Sequence, residues 1–237
     1  MQWPSDSIQN FVTGGWWIPS RPQEAMASGM LLKAVVPYFN RSPNELVMEG
    51  RLDDEQHTNA RYVIRALDLS REPGRARVPV AGAPLLQGER DLVLKGKKRP
   101  VLLIDFCWRT SSTRELSGSR GSMEPTYVVL PFFGVCDSEG RQRFSDEILR
   151  RVRRASYPHM MWDHLPINST GMGSLIRFDH PIPLPRIAQA YERPGWRLSP
   201  EALQVAREWA SWNQFGACPA NGLLELFRDE FQPKSAQ

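Results

Sequence analysis

Two runs of apolar residues decide most of what this chain can become. Arg99–Phe106 and Thr126–Phe133 are almost continuously hydrophobic, the pattern of strands covered on both faces rather than strands that alternate between core and water. Such strands belong at the centre of a sheet, and within Leu92–Val135 the spacing predicts Val101, Leu103, Val128 and Leu130 to be buried. With 237 residues, 41% of them hydrophobic and 24% charged, the chain can enclose such a sheet without disulfide or metal staples.

Other segments can be placed around that centre. Lys33–Tyr38, Glu45–Glu49 and Arg61–Leu67 read as strands, and in the last of these Tyr62, Ile64 and Ala66 alternate with Arg61, Val63 and Arg65. The turn-forming run 40–44 separates the first two and predicts an antiparallel hairpin between them. Residues 70–88, rich in Pro and Gly, read as a linker or long surface loop, and Arg109–Glu124, rich in Ser, Gly, Thr and Arg, as a mobile loop. Residues 1–30 read as an irregular arm whose Trp16–Trp17 pair packs on the body.

A helix is signalled at Ser145–Ala155, with Ser145 as its cap, Asp146 and Glu147 opposing the dipole, and Ile148, Leu149, Val152 and Ala155 on one face. A second starts at Ser199 with Pro200 in the first helical position and stops at Gly216. A third covers Asn221–Phe231.

Some classes of function are disfavoured. The first residues lack the basic and apolar regions of a secretory signal, and the most apolar segment, Val128–Cys136, is far shorter than the roughly 20 residues of a spanning helix, so the expectation is a cytoplasmic protein without a membrane role. Cys107, Cys136 and Cys218 are scattered without a C-x-x-C pair and read as reduced, buried thiols. No Walker-type or dinucleotide fingerprint occurs. A formal charge of +4 leaves nucleic acid open as a partner, with basic residues gathered at 71–77, at Lys95, Lys97, Lys98 and Arg99, and at Arg150, Arg151, Arg153 and Arg154.

The run Lys97-Lys98-Arg99-Pro100-Val101-Leu102-Leu103-Ile104, followed by Tyr127-Val128-Val129-Leu130-Pro131, resembles the PemK/MazF-type toxin endoribonucleases over about a fifth of the chain. In that family a basic loop ends in an Arg-Pro pair that leads a buried strand, and a later strand ends in a Val-Pro-like step. The resemblance implies an α+β protein with an SH3-like small β-barrel core, flanking helices and an N-terminal β-rich extension. Its parts would be a β-rich extension over 1–70, the barrel domain with its arginine-rich helix over 71–182, and a helical extension over 183–237. It further implies single-stranded RNA as partner, an antitoxin-like protein and a homodimer as further associations, and metal-independent cleavage with no cofactor. Arg99 would then neutralise charge on the phosphorane formed when a 2′-hydroxyl attacks. The family places a threonine or serine two residues after the later proline, but this chain has Phe133 there. The alternative is therefore a non-catalytic SH3-like module that recognises a protein or nucleic acid.

Lys95, Lys97, Lys98 and Arg99 are the expected nucleic-acid contacts, joined by Arg150 and Arg154, which share a helix face; the competing account of those two is a solvated helix end. His159, Asp163 and His164 match no zinc template and read as loop residues, with either histidine available as an acid or base if it faces Arg99. Gly171–Leu175 lacks the closing glycine of a nucleophile elbow and reads as a turn before the strand Leu175–Phe178. Asp53, Asp54 and Glu55 read as a solvated loop.

Overall fold

The computed structural model describes residues 3–38, 40–53, 55–56, 58–71, 90–104, 126–137, 139–168 and 171–231. The proline- and glycine-rich stretch after Arg71, the end of the first apolar run at 105–106, Cys107, the whole polar loop 109–124 and Asp54 lie outside the described residues. The protein is α+β, and its chain forms two compact units, Val36–Lys97 and the remainder.

In the order of the chain the strands are β1 (Trp17–Pro19), β2 (Leu31–Pro37), β3 (Asn44–Arg51), β4 (Ala60–Ala66), β5 (Asp91–Val93), β6 (Gly96–Leu103), β7 (Thr126–Gly134), β8 (Met160–Asp163), β9 (Ser174–Arg177), β10 (Ile182–Pro185), β11 (Tyr191–Glu192) and β12 (Trp196–Leu198). The helices are α1 (Asp146–Arg153), α2 (Pro200–Phe215) and α3 (Leu223–Asp229).

The larger unit is built on a sheet in the order β11-β2-β6-β7-β9-β8, with β10 added to β7. β7 changes partners along its length. Val129–Pro131 pair with Leu103–Val101 of β6, Thr126–Val129 pair with Pro185–Ile182 of β10, and Phe132–Gly134 pair with Ile176–Ser174 of β9. Among the described residues the strands close no barrel. The two apolar runs do sit at the sheet's centre: Val101, Leu103 and Val129 are buried on one face, and Leu102, Leu130 and Phe132 on the other. Val128 is only half-buried.

Leu102, Ile104, Leu130 and Phe132 enter one large core with the buried stripe of α2, whose Ala202, Val205, Ala206, Trp209 and Ala210 recur at helical spacing. Both helix starts follow their sequence signals. The Ser145 hydroxyl accepts the Ile148 N–H at 3.3 Å, and the Ser199 hydroxyl accepts that of Ala202 at 3.3 Å. Gly216 ends α2 at φ 77°, where a β-carbon would be strained. The third helix is shorter than the sequence suggests, since its first hydrogen-bonded residue is Leu223.

Residues 3–30 differ from the expected irregular arm. Ile8–Phe11 form a 3₁₀ turn, β1 pairs with β12, and Ile8, Val12, Trp16 and Trp17 are core residues. A segment with little periodicity is thus part of the hydrophobic centre, because two short strands and a single turn leave no pattern to read.

The smaller unit holds the sheet β4-β3-β5. The hairpin expected between the first two strand-like runs is not made: β3 pairs with β4, while β2 belongs to the other sheet. In β4 the half-buried position is Val63, opposite Val47, whereas Tyr62 and Ile64 are 40% and 62% exposed. β2 and β6 each cross the division between the units. Leu103 N–H donates to Met30 C=O at 2.9 Å in the larger unit, and Tyr38 N–H donates to Lys95 C=O at 2.8 Å in the smaller.

Candidate nucleic-acid interface

Arg99 stands on β6, half-buried, and the register of β6 against β7 carries it beside Phe133. Its guanidinium carbon lies 4.8 Å from the centroid of the Phe133 ring. Residues separated by more than thirty positions in the chain are thereby brought together, and they are the two positions that the sequence comparison had set against each other. The stack suits a delocalised planar cation, whose face meets the ring's negative face while the N–H fork stays in its own plane.

The lysines are distributed differently from a single basic loop. Lys97 and Lys98 are strand residues on β6, and Lys95 precedes that strand. Lys98 is ion-paired with Glu192 of β11, the two side chains being 54% and 59% exposed, and that contact holds the Glu192 carboxyl below its ordinary value. Lys95 and Lys97 belong to the smaller unit and Lys98 and Arg99 to the larger.

The arginines of α1 have separate structural partners. Arg150 pairs with Glu147 one turn earlier, Arg151 stacks on Tyr157 at 5.0 Å, and Arg154 stacks on Phe231 at 5.4 Å. Arg153 makes a two-pronged contact with Asp6, Nε and one terminal nitrogen each 2.8 Å from a carboxylate oxygen. Arg153, Arg151 and Arg154 thereby hold the end of α1 to the N-terminal segment, the following loop and Phe231 after α3, while the Arg150 pair stays within the helix.

Asp163 is the residue that sequence reading missed. It lies on β8 rather than in a loop and is completely buried. One carboxylate oxygen accepts the Trp17 indole N–H at 3.0 Å, and the other accepts that of Trp16 at 3.2 Å. Burial pushes its carboxyl up to about 7, against the pull of the Trp17, Trp16 and His164 N–H donors. The signal that could have found it is the tryptophan pair itself, since two buried indoles need an acceptor each. His164 packs edge-on against Trp3 with centroids 6.0 Å apart, and His159 packs against Tyr157 at 5.8 Å.

The glycine run before β9 has a packing role. A β-carbon at Gly173 would fall 2.3 Å from the Trp162 indole nitrogen, so the backbone approaches that ring more closely than any other residue allows. Asp53 accepts the Glu55 N–H at 3.0 Å and closes an exposed turn between β3 and β4. Among the described residues no three His, Cys, Asp or Glu side chains gather where they could hold a metal ion, and no helix is long and apolar enough to cross a membrane.

The most specific arrangement for chemistry in the larger unit is therefore Arg99 on Phe133, at the entrance of a strand buried beyond it on both faces. Comparison of the chain with protein-family models, with curated proteins and with solved structures finds no match.

Proposed function

We propose that the protein binds single-stranded RNA through Arg99 and does not cleave it, on an SH3-like core of the PemK/MazF type. The observation that carries this reading is the stack of Arg99 on Phe133. Phe133 occupies the position where the resembling family has a hydroxyl, and a phenyl ring can neither give nor take a proton. A guanidinium held against an aromatic face is suited to charge-assisted contact with a phosphate, and the half-buried ring beside it suits stacking with a base. The change of partners along β7 is the kind of strand behaviour that small barrels use at their corners. Lys98 adds a second contact, because a half-exposed ion pair is worth little and can exchange Glu192 for a phosphate.

Anisotropy titration of a labelled oligoribonucleotide at several salt concentrations tests the proposal. Each phosphate neutralised on a single strand contributes about 0.7 to the slope of log K against log salt, so Arg99→Ala with Lys98→Glu should lower the slope by about 1.4. Arg150→Glu with Arg151→Glu should change it less. No binding at low salt removes the RNA reading. Cleavage that persists in EDTA, leaves a cyclic phosphate and is lost in Arg99→Ala would instead make the protein a nuclease despite Phe133.

A further inference from the structure

The smaller unit contains a cleft of about 170 Å³ that the preceding proposal does not use. Its walls include Tyr38, Arg41, Ser42, Asn44, Val93 and Lys95. The backbone makes this grouping: Tyr38 N–H donates to Lys95 C=O at 2.8 Å, Arg41 N–H donates to Tyr38 C=O at 3.2 Å, and Asn44 lies opposite Val93 in the β3–β5 register. The Arg41 guanidinium carbon stands 5.4 Å from the Tyr38 ring centroid, which restrains it at the rim.

Charge decides what such a cleft takes. Two cations, the Ser42 and Tyr38 hydroxyls and the Asn44 carboxamide line it, and among the described residues its walls carry no carboxylate. Three of the unit's acids are engaged with other partners: Glu45 with Arg90 at 3.0 Å, Glu49 with Arg65 at 2.7 Å, and Asp68 with Arg71 at 3.0 Å. An anion placed between Arg41 and Lys95 relieves their mutual repulsion, and the Ser42 hydroxyl and Asn44 amide supply neutral donors for its remaining oxygens.

Size narrows the anion. Sites for whole drug-sized molecules run to roughly 300–1,000 Å³, so this cleft admits a phosphate and part of a sugar while a base stays outside. Alternation along β3 puts Asn44, Leu46 and Met48 on one face, and the register sets Ile64 opposite Leu46 and Tyr62 opposite Met48. Tyr62 and Ile64 are exposed and continue from the cleft on the β4 side, while Asp91, opposite Leu46 on β5, is an exposed acidic neighbour on that face.

We propose that this cleft binds the phosphate of a nucleotide, free or within a single strand, with the base directed onto the face that carries Ile64 and Tyr62. The site lies in the other compact unit and stands whether or not Arg99 binds RNA.

Calorimetric titration of the full chain at low ionic strength with uridine, uridine 5′-monophosphate and hexauridylate is the test. The monophosphate should bind and uridine should not. Arg41→Ala with Lys95→Ala, both exposed side chains, should weaken the monophosphate about tenfold or more while melting as the parent does. In the Arg99→Ala chain the monophosphate should still bind and should still be weakened by adding Arg41→Ala with Lys95→Ala, which separates this site from the one above. Tighter binding of hexauridylate, reduced by Tyr62→Ala, assigns the phosphate to a strand; equal affinities assign it to a free nucleotide. Uridine binding as well as its monophosphate, or the double variant retaining the parent's affinity, overturns the proposal.

Discussion

Asp163 shows how far one side chain can set a condition on the whole protein. Its carboxyl titrates at about 7 in the folded chain against 3.8 for the ordinary group, so folding favours the protonated form. The stability it contributes is full below about 3.8 and is lost as pH rises through the folded value, because only the unfolded chain ionises freely in that interval. By linkage the loss approaches roughly 4 kcal/mol at most. Asp163→Asn removes the ionisation and should flatten stability between pH 4.5 and 7.5, while leaving one indole N–H without an acceptor at a cost of about 1–3 kcal/mol. Urea unfolding across that interval checks it, and parallel pH profiles for parent and variant would sink the account. His159-x3-Asp163-His164 could not reveal this in sequence, because the partners of Asp163 are two tryptophans almost 150 residues earlier.

At the scale of elements, what was legible depends on how local the cause is. α1 and α2 begin where Ser145 and Ser199 can cap them, since a cap acts within three residues. The partners of β2 were not legible, because nothing near residue 40 says that Leu31–Pro37 will lie beside β11 and β6 instead of β3. The arginines of α1 follow the same rule: their presence near the helix end was readable, whereas Asp6 as the partner of Arg153 was not. That pair is largely shielded, at 20% and 18% exposure, and joins α1 to the first residues of the chain. Arg153→Ala should cost about 1–3 kcal/mol, and Arg150→Ala, whose pair with Glu147 is exposed, less than about 1 kcal/mol, both read by thermal or urea unfolding. Equal losses would mean that the Asp6 contact adds nothing beyond a surface charge.

For the molecule as a whole, the N-terminal segment belongs to the core that the central strands and α2 create. Trp16 is almost wholly enclosed there, so Trp16→Ala should destabilise the protein by about 3–5 kcal/mol, and the change should appear in one cooperative transition of the larger unit. A loss under 1 kcal/mol, or a separate early transition, would make the segment an appendage after all. The burial of residues 101–104 and 129–132 could be foreseen from their composition because a strand covered on both faces has no polar alternation to hide. The pairing of Arg99 with Phe133 needed the register of β6 on β7, which no spacing encodes.

The places where the smaller unit joins the larger have a consequence for how such a chain can vary. Met30 meets Leu103 on one side of the division and Tyr38 meets Lys95 on the other, so the chain departs and returns through two neighbouring antiparallel strands. To the larger unit the whole of Val36–Lys97 is then topologically the bend of a hairpin. Enlarging, trimming or exchanging a bend changes the closure entropy only with the logarithm of its length. The smaller unit is accordingly a replaceable cassette, able to acquire and lose binding properties while the sheet that carries Arg99 keeps its register.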